Sequence, residues 1–179
     1  MTRYTGKVAR SVTTDQHNDS LDPAAKKTVL RWFTYGMYVV TARDGEETGA
    51  FTANWLSQAS FDPPLVMVSV EKDSHSLPII RSSQTFTVNV LESGQRRLAG
   101  HFGKKAAKVG DKLADIEHYQ TGSGLPVIND ALGYVVCRVT GEMDAGDSVV
   151  VLGEVVEAAV HREDGDPLTM AEAGFRHSG

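Results

Sequence analysis

Residues Thr52-Ala53-Asn54-Trp55-Leu56-Ser57-Gln58-Ala59-Ser60 interleave hydroxyls and amides with small alanines, and Phe61-Asp62-Pro63-Pro64 joins them to an apolar run over residues 65–70. Small and polar residues in this order let a flat heteroaromatic ligand, with acceptors along one edge, approach backbone N–H groups and hydroxyls. The same composition suits a strand–turn–strand corner whose hydroxyls bond their own backbone. Two further segments carry anion chemistry. Glu71-Lys72-Asp73-Ser74-His75-Ser76 combines a lysine, two hydroxyls and a predicted helix start, a combination able to hold a phosphate. His101-Phe102-Gly103-Lys104-Lys105-Ala106-Ala107-Lys108 concentrates lysines in an acidic chain. A phosphate attracts one such lysine by about 4 kcal/mol per unit charge at ~4 Å and an effective dielectric of ~20, before desolvation is subtracted. Both clusters also read as solvated surface runs.

Other chemistries lack their residues. The sequence has no G-x-x-x-x-G-K-[ST], no G-x-G-x-x-G after a strand, no H-E-x-x-H and no G-x-S-x-G. The six histidines stand singly, so no metal site is expected. The one cysteine, Cys137, excludes an internal disulfide framework and a cysteine metal cage, and its apolar neighbours Tyr134-Val135-Val136 predict a buried thiol. Eighteen Lys+Arg against 23 Asp+Glu leave a net charge of −5. That balance argues against nucleic acid or an anionic membrane as partner, since both require a basic surface. No run of about 18 apolar residues is present, and the N-terminus is polar, so neither a membrane span nor a signal peptide is expected and a cytoplasmic location is predicted.

The elements that must position these residues follow from periodicity. Residues 1–20 lack sustained apolar spacing and are expected to form a flexible arm; residues 21–179 are read as one domain. Asp22-Pro23 predicts a helix start, Ala25, Val29 and Phe33 an apolar stripe on that helix, and Gly36 its end. Strands are predicted at residues 38–41, 49–56, 65–70, 86–90, 134–139 and 149–160. The third is expected to be buried on both faces, the fourth to set Phe86, Val88 and Val90 against an opposite face of Thr87 and Asn89, and the last to bend at Gly153. Short helices are predicted at residues 76–82, 93–102 and 166–173, the last capped by Asp166 with Pro167 at its first position. Six or so strands joined by connections too short for repeated crossover helices predict a mostly antiparallel β-barrel.

Taken together, these segments resemble the flavin reductase family, whose members adopt the FMN-binding split barrel. The opening Arg31-Trp32-Phe33-Thr34-Tyr35-Gly36-Met37-Tyr38-Val39-Val40-Thr41, the stretch from Thr52 through Pro63-Pro64-Leu65-Val66, Phe86-Thr87-Val88-Asn89-Val90-Leu91, Leu98-Ala99 with Phe102, and Gly146-Asp147 with Gly153-Glu154-Val155 match in the family's order. The resemblance implies FMN, or FAD, with its ring against residues 52–60 and its phosphate near Lys72, Ser74, His75 and Ser76 or near Phe102, Gly103, Lys104 and Lys108. It implies hydride transfer from NAD(P)H to the flavin, a homodimer, and a partner oxygenase as acceptor. The family often has Gly-Asp-His late in the barrel, with that histidine associated with the nicotinamide; here Gly146-Asp147-Ser148 stands instead, and Ser148 and His177 are the candidates for that side. An electron-carrier flavoprotein and a non-redox binding module are the rival readings.

Overall fold

A computed structural model describes residues 21–176. The chain divides after Phe33 into two compact units, each taken by itself. In the first, α1 (Pro23–Arg31) begins as predicted: Asp22 Oδ1 accepts from the Ala24 and Ala25 N–H groups at 2.8 and 3.3 Å, and Pro23 takes the first turn, where no N–H is needed. It ends at Arg31 rather than Gly36, because Trp32 closes the last turn on the Val29 carbonyl. Ala25 and Val29 of the predicted stripe fall on α1, but Phe33 lies beyond its end. Val29 and Phe33 are exposed, and no residue of α1 is buried.

The second unit is a seven-stranded antiparallel sheet made of β1 (Tyr38–Asp44), β2 (Glu47–Ala53), β3 (Leu56–Ser60), β4 (Leu65–Glu71), β5 (Thr85–Val90), β8 (Gly133–Ala145) and β9 (Ser148–Val160). The order across it is β2-β1-β5-β8-β9-β4-β3. Thus β2 and β3, consecutive in the chain, lie at opposite edges. Only Asn54 and Trp55 join them. Three peptide units span about 11 Å at most, so the two edges of the sheet are forced together. The sheet curls into a barrel left split between β2 and the β3–β4 pair, the split-barrel architecture. The predicted strand over residues 49–56 is therefore two strand ends meeting at this joint.

The barrel is filled by Val40, Ala42, Val68, Val70, Phe86, Val88 and Val151, with Leu77, Ile79 and Ile80 of α2 (Ser76–Ser83) closing one end. Cys137 lies here as expected, and burial pushes its thiol up to about 12. Gly153, predicted as a bend, is a close approach: a Cβ there would lie 2.8 Å from Cys137 Cβ and from the Phe86 ring. A second core under α3 (Arg96–Phe102) and α5 (Met170–Ala173) contains Met37, Val39, Leu91, Phe102, Leu113 and Leu168.

One strand expectation is corrected, and a second strand is covered on both faces. In β4 only Val68 and Val70 are buried and Met67 is exposed, because the barrel core covers one face alone. In β5 the Thr87–Asn89 face is buried too. The hairpin of β6 (His118–Gln120) and β7 (Pro126–Ile128), unforeseen in the sequence, covers it. Asn89 Oδ1 accepts from the Ile128 N–H at 2.9 Å, Asn89 Nδ2 donates to the Val39 carbonyl at 3.0 Å, and Thr41 Oγ1 donates to the Pro126 carbonyl at 2.6 Å. Asn89 of β5 and Thr41 of β1 anchor the hairpin, whereas the buried Thr87 hydroxyl has no hydrogen-bond partner among the described residues.

Two helices start later than predicted. Ser93 Oγ and the Gly94 N–H both donate to Glu172 Oε1 at 2.8 Å, so α3 starts at Arg96. Pro167 pairs with Glu92 in an isolated bridge, so Thr169 rather than Asp166 caps α5. Among the described residues no helix is long and apolar enough to cross a membrane, and no cluster of three or more potential metal ligands forms.

Candidate functional site

A cleft of ≈ 1160 Å³ opens between the end of β2, the turn from β4 into α2, and the C-terminal end of α3 with α4 (Ala106–Val109). Thr52, Ala53, Asn54 and Trp55 form one wall. Among the described residues no strand lies on the outer side of β2, so alternate backbone groups of this strand face away from β1. The Ala50 carbonyl is one of them, since Lys112 Nζ reaches it. The two-residue period of a strand places the backbone N–H and C=O of Thr52 on the same edge. The cleft is thus bordered by a strand edge with no strand beyond it.

Three close contacts hold the surrounding walls. A Cβ on Gly49 would stand 2.8 Å from Ser76 Oγ and 3.0 Å from Ser76 Cα, so glycine lets the start of α2 lie directly on β2. Thr52 Oγ1 donates to the Ala99 carbonyl at 2.5 Å, pinning α3 to the same strand. Asn54, nearly buried, donates from Nδ2 to the Met170 sulfur at 3.2 Å. Across the mouth, Lys105 Nζ donates to Asp73 Oδ2 at 2.6 Å. That hydrogen bond and its charge hold the Asp73 carboxyl below, and Lys105 above, their ordinary values. Lys104 makes no ion pair among the described residues, and Arg176 also lines the cleft.

The expected residues separate into two groups. Thr52, Ala53, Asn54, Trp55, Ser74, His75, Ser76, Phe102, Gly103, Lys104 and Ser148 line the cleft. Leu56, Ser57, Gln58, Ala59 and Ser60 do not. They belong to β3, where Leu56 packs on the barrel core, Ser57 Oγ donates to the Gln58 carbonyl at 3.0 Å, and Gln58 Nε2 donates to the Ser60 carbonyl at 3.2 Å. Lys72 faces away and pairs with Asp144 at 2.7 Å, lowering the Asp144 carboxyl pKa. Lys108, in α4, does not line the cleft. Ser148, buried at the start of β9, donates to Asp147 Oδ1 at 3.0 Å. His177 lies outside the described residues.

Sequence reasoning missed Lys112. It is 8% exposed on the cleft wall, and its Nζ donates to the Ala50 carbonyl at 3.0 Å and the Phe102 carbonyl at 2.8 Å. Burial pushes its pKa down. Phe102 is the last residue of α3, so the ammonium sits at the negative end of that helix, which favours a cation there. His101 Nε2 lies 2.8 Å from the Lys112 carbonyl, a second tie between α3 and this segment. Nothing in Gly110-Asp111-Lys112-Leu113 marks this lysine as buried; its partners come from β2 and α3.

Comparison with known proteins agrees with this architecture. The chain is 35% identical over 147 residues to diflavin flavoprotein A 1 of Synechocystis, covering 82% of this chain and 26% of that protein. It is 34% identical over 144 residues to the high molecular weight rubredoxin of Moorella thermoacetica, covering 79% of this chain and 62% of the relative. The chain therefore spans about a quarter of the diflavin flavoprotein's length. Among solved structures, the NADH:FAD oxidoreductase of Streptomyces globisporus superposes with a TM-score of 0.77 at 30% identity, covering 90% of this chain and 96% of that one. The same oxidoreductase is also known in complex with NAD and FAD fragments. The family model described as flavin reductase like domain matches residues 30–179, and the chain belongs to that family.

Proposed function

We propose that this chain binds FMN or FAD in the cleft and reduces it with NAD(P)H, passing the reduced flavin or its electrons to a partner oxygenase or another acceptor. The observation that carries this reading is the outward edge of β2 along a cleft with cations around its mouth. A flavin ring has hydrogen-bonding atoms along one edge and a phosphate at the other end of its side chain, and the donor set fits both. Thr52 offers backbone groups to the ring, while Ser74, Ser76, Lys104 and Arg176 offer hydroxyls and positive charge to the phosphate. A bound flavin supplies a hydride acceptor, so this chain needs no catalytic acid or nucleophile. Its residues bind, orient and exclude water. The S. globisporus complex with NAD and FAD fragments supports a nicotinamide donor.

One observation favours an electron carrier that keeps its flavin and exchanges electrons with a protein. Ser148, at the position expected to meet the nicotinamide, spends its hydroxyl proton on Asp147. The homodimer is also proposed. In a single chain β3 is an open sheet edge, and Met67, Met143 and Val156 are exposed on the neighbouring strands β4, β8 and β9. A second copy would cover this face.

The deciding experiment identifies the flavin retained by the purified protein, then follows flavin absorbance against NADH and NADPH concentration in stopped flow. Saturable reduction by either nucleotide supports the reductase. Bound flavin that neither nucleotide reduces at millimolar concentration supports the carrier. A colourless protein that binds no added flavin leaves only the non-redox module.

A further inference from the structure

The cleft contains one charge that its expected ligand chemistry does not otherwise account for. Lys112 is buried, yet it lines the cleft together with Ala50 and Phe102, the two residues whose carbonyls hold its ammonium. An ammonium has three N–H donors. Two go to the carbonyls of Ala50 and Phe102, which are neutral. No carboxylate pairs with Lys112 among the described residues. Its neighbour Asp111 accepts instead from Thr48 Oγ1 at 3.3 Å and from the Leu113 N–H at 2.9 Å. Of the other acidic groups around the cleft, Asp73 is held by Lys105 at the mouth, while Glu46, Glu47 and Glu71 are exposed to solvent. Lys112 is therefore a fixed positive charge carried by the β2 edge, one strand repeat, or about 7 Å, from the outward backbone groups of Thr52.

We propose that Lys112 makes the cleft prefer reduced flavin over oxidised flavin. The proposal rests on the flavin reading above. Hydride transfer moves two electrons and one proton from a dihydronicotinamide to a neutral flavin ring. The nicotinamide leaves as a cation and the ring keeps one negative charge, so atoms and electrons balance without a further reactant. A cation shielded from water stabilises that new charge and does little for the neutral oxidised ring. The exposed lysines of the mouth face the phosphate instead, whose charge is the same in both redox states. Lys112 thus acts on the driving force of the reaction, separately from anchorage of the ligand.

The test is anaerobic titration with oxidised FMN and with dithionite-reduced FMN, in the wild type, Lys112→Met and Lys112→Arg. The wild type is expected to bind reduced FMN more tightly. Lys112→Met, similar in length but uncharged, is expected to lose about tenfold in the ratio of the two affinities, which is about a 30 mV fall in the two-electron potential of the bound flavin. Lys112→Arg is expected to keep the ratio within about threefold of the wild type. Equal weakening of both redox forms in Lys112→Met would make the lysine a packing element only and overturn the proposal. So would a wild type that binds the oxidised form as tightly as the reduced one, a result that stands even if Lys112→Met does not fold. Failure of the wild type to bind FMN or FAD in either state would instead refute the flavin reading itself.

Discussion

Replacing Gly49 with alanine tests whether the contact between β2 and α2 shapes the cleft. The added Cβ would lie 2.8 Å from Ser76 Oγ and 3.0 Å from both Ser76 Cα and Cβ. The hydroxyl can rotate away, but the Cα is backbone and can yield only if the helix moves. That helix carries Leu77, Ile79 and Ile80 into the barrel core, so moving it disturbs the packing of one end of the barrel. Overpacking of this kind costs about 1–3 kcal/mol. In a domain of this size each kcal/mol lowers Tm by about 2–4 °C, so a fall of about 2–12 °C is expected in a thermal melt followed by circular dichroism. The same shift displaces Ser74, His75 and Ser76 from the cleft wall, and flavin affinity should fall with stability. Gly122→Ala is the control: no atom lies within 4 Å of the added Cβ and its φ lies outside the left-handed range, so its Tm should not fall. If Gly49→Ala melted with the wild type and bound FMN equally well, the close approach would not be what positions α2.

Three further outcomes are expected. Asn89→Leu leaves the Ile128 N–H without its acceptor and the Val39 carbonyl without the amide donor, at about 1–3 kcal/mol for each group left unsatisfied, and hydrogen exchange should show the β6–β7 hairpin opening before the barrel. Ser148→His adds an imidazole at the cleft wall and should lower the KM for NADH roughly fivefold, about 1 kcal/mol, with flavin affinity nearly unchanged; unchanged KM values for both nucleotides would remove Ser148 from the nicotinamide side. The carboxyls of Asp73, Asp144 and Glu172 are held low: Asp73 by Lys105, Asp144 by Lys72 and the Gly146 N–H, Glu172 by the Gly94 N–H and Ser93. Their stabilisation is fully present above the unfolded carboxyl pKa of about 4 and is lost as pH falls through the lowered folded values, so Glu172→Gln should lower Tm near pH 7 and the gap from the wild type should close in melts taken at progressively lower pH.

Strand periodicity made most of the barrel legible, because a face buried in one core repeats every second residue. It failed where a second cover arrived from elsewhere in the chain. Thr87 and Asn89 read as a polar face opposite Phe86, Val88 and Val90, and alternation alone carries no sign that a hairpin of two three-residue strands will lie across it. The wall from Thr52 to Trp55 was legible from small, polar residues ahead of an apolar strand. Residues 56–60 do not line the cleft, because past the joint at Asn54-Trp55 they pair with β4 as β3. Lys112 was invisible for a related reason. Its burial depends on carbonyls at Ala50 and Phe102, and no local pattern around Asp111-Lys112-Leu113 reports them.

That two-residue joint also sets an order of events during folding. The pairs β1–β2, β3–β4 and β8–β9 are hairpins between neighbours in the chain and can form on microsecond timescales. Pairing of β4 with β9, which sets Leu65 beside Glu154, closes a far longer loop and places the chain among slower folders with many distant contacts. Because β2 and β3 share the joint, β2 is drawn against the split only when β4 has docked. The wall of the cleft is then assembled in the same step that closes the sheet. Ligand-binding competence should therefore appear together with closure of the β4–β9 pairing on refolding, making quenching of added flavin fluorescence a clock for barrel closure.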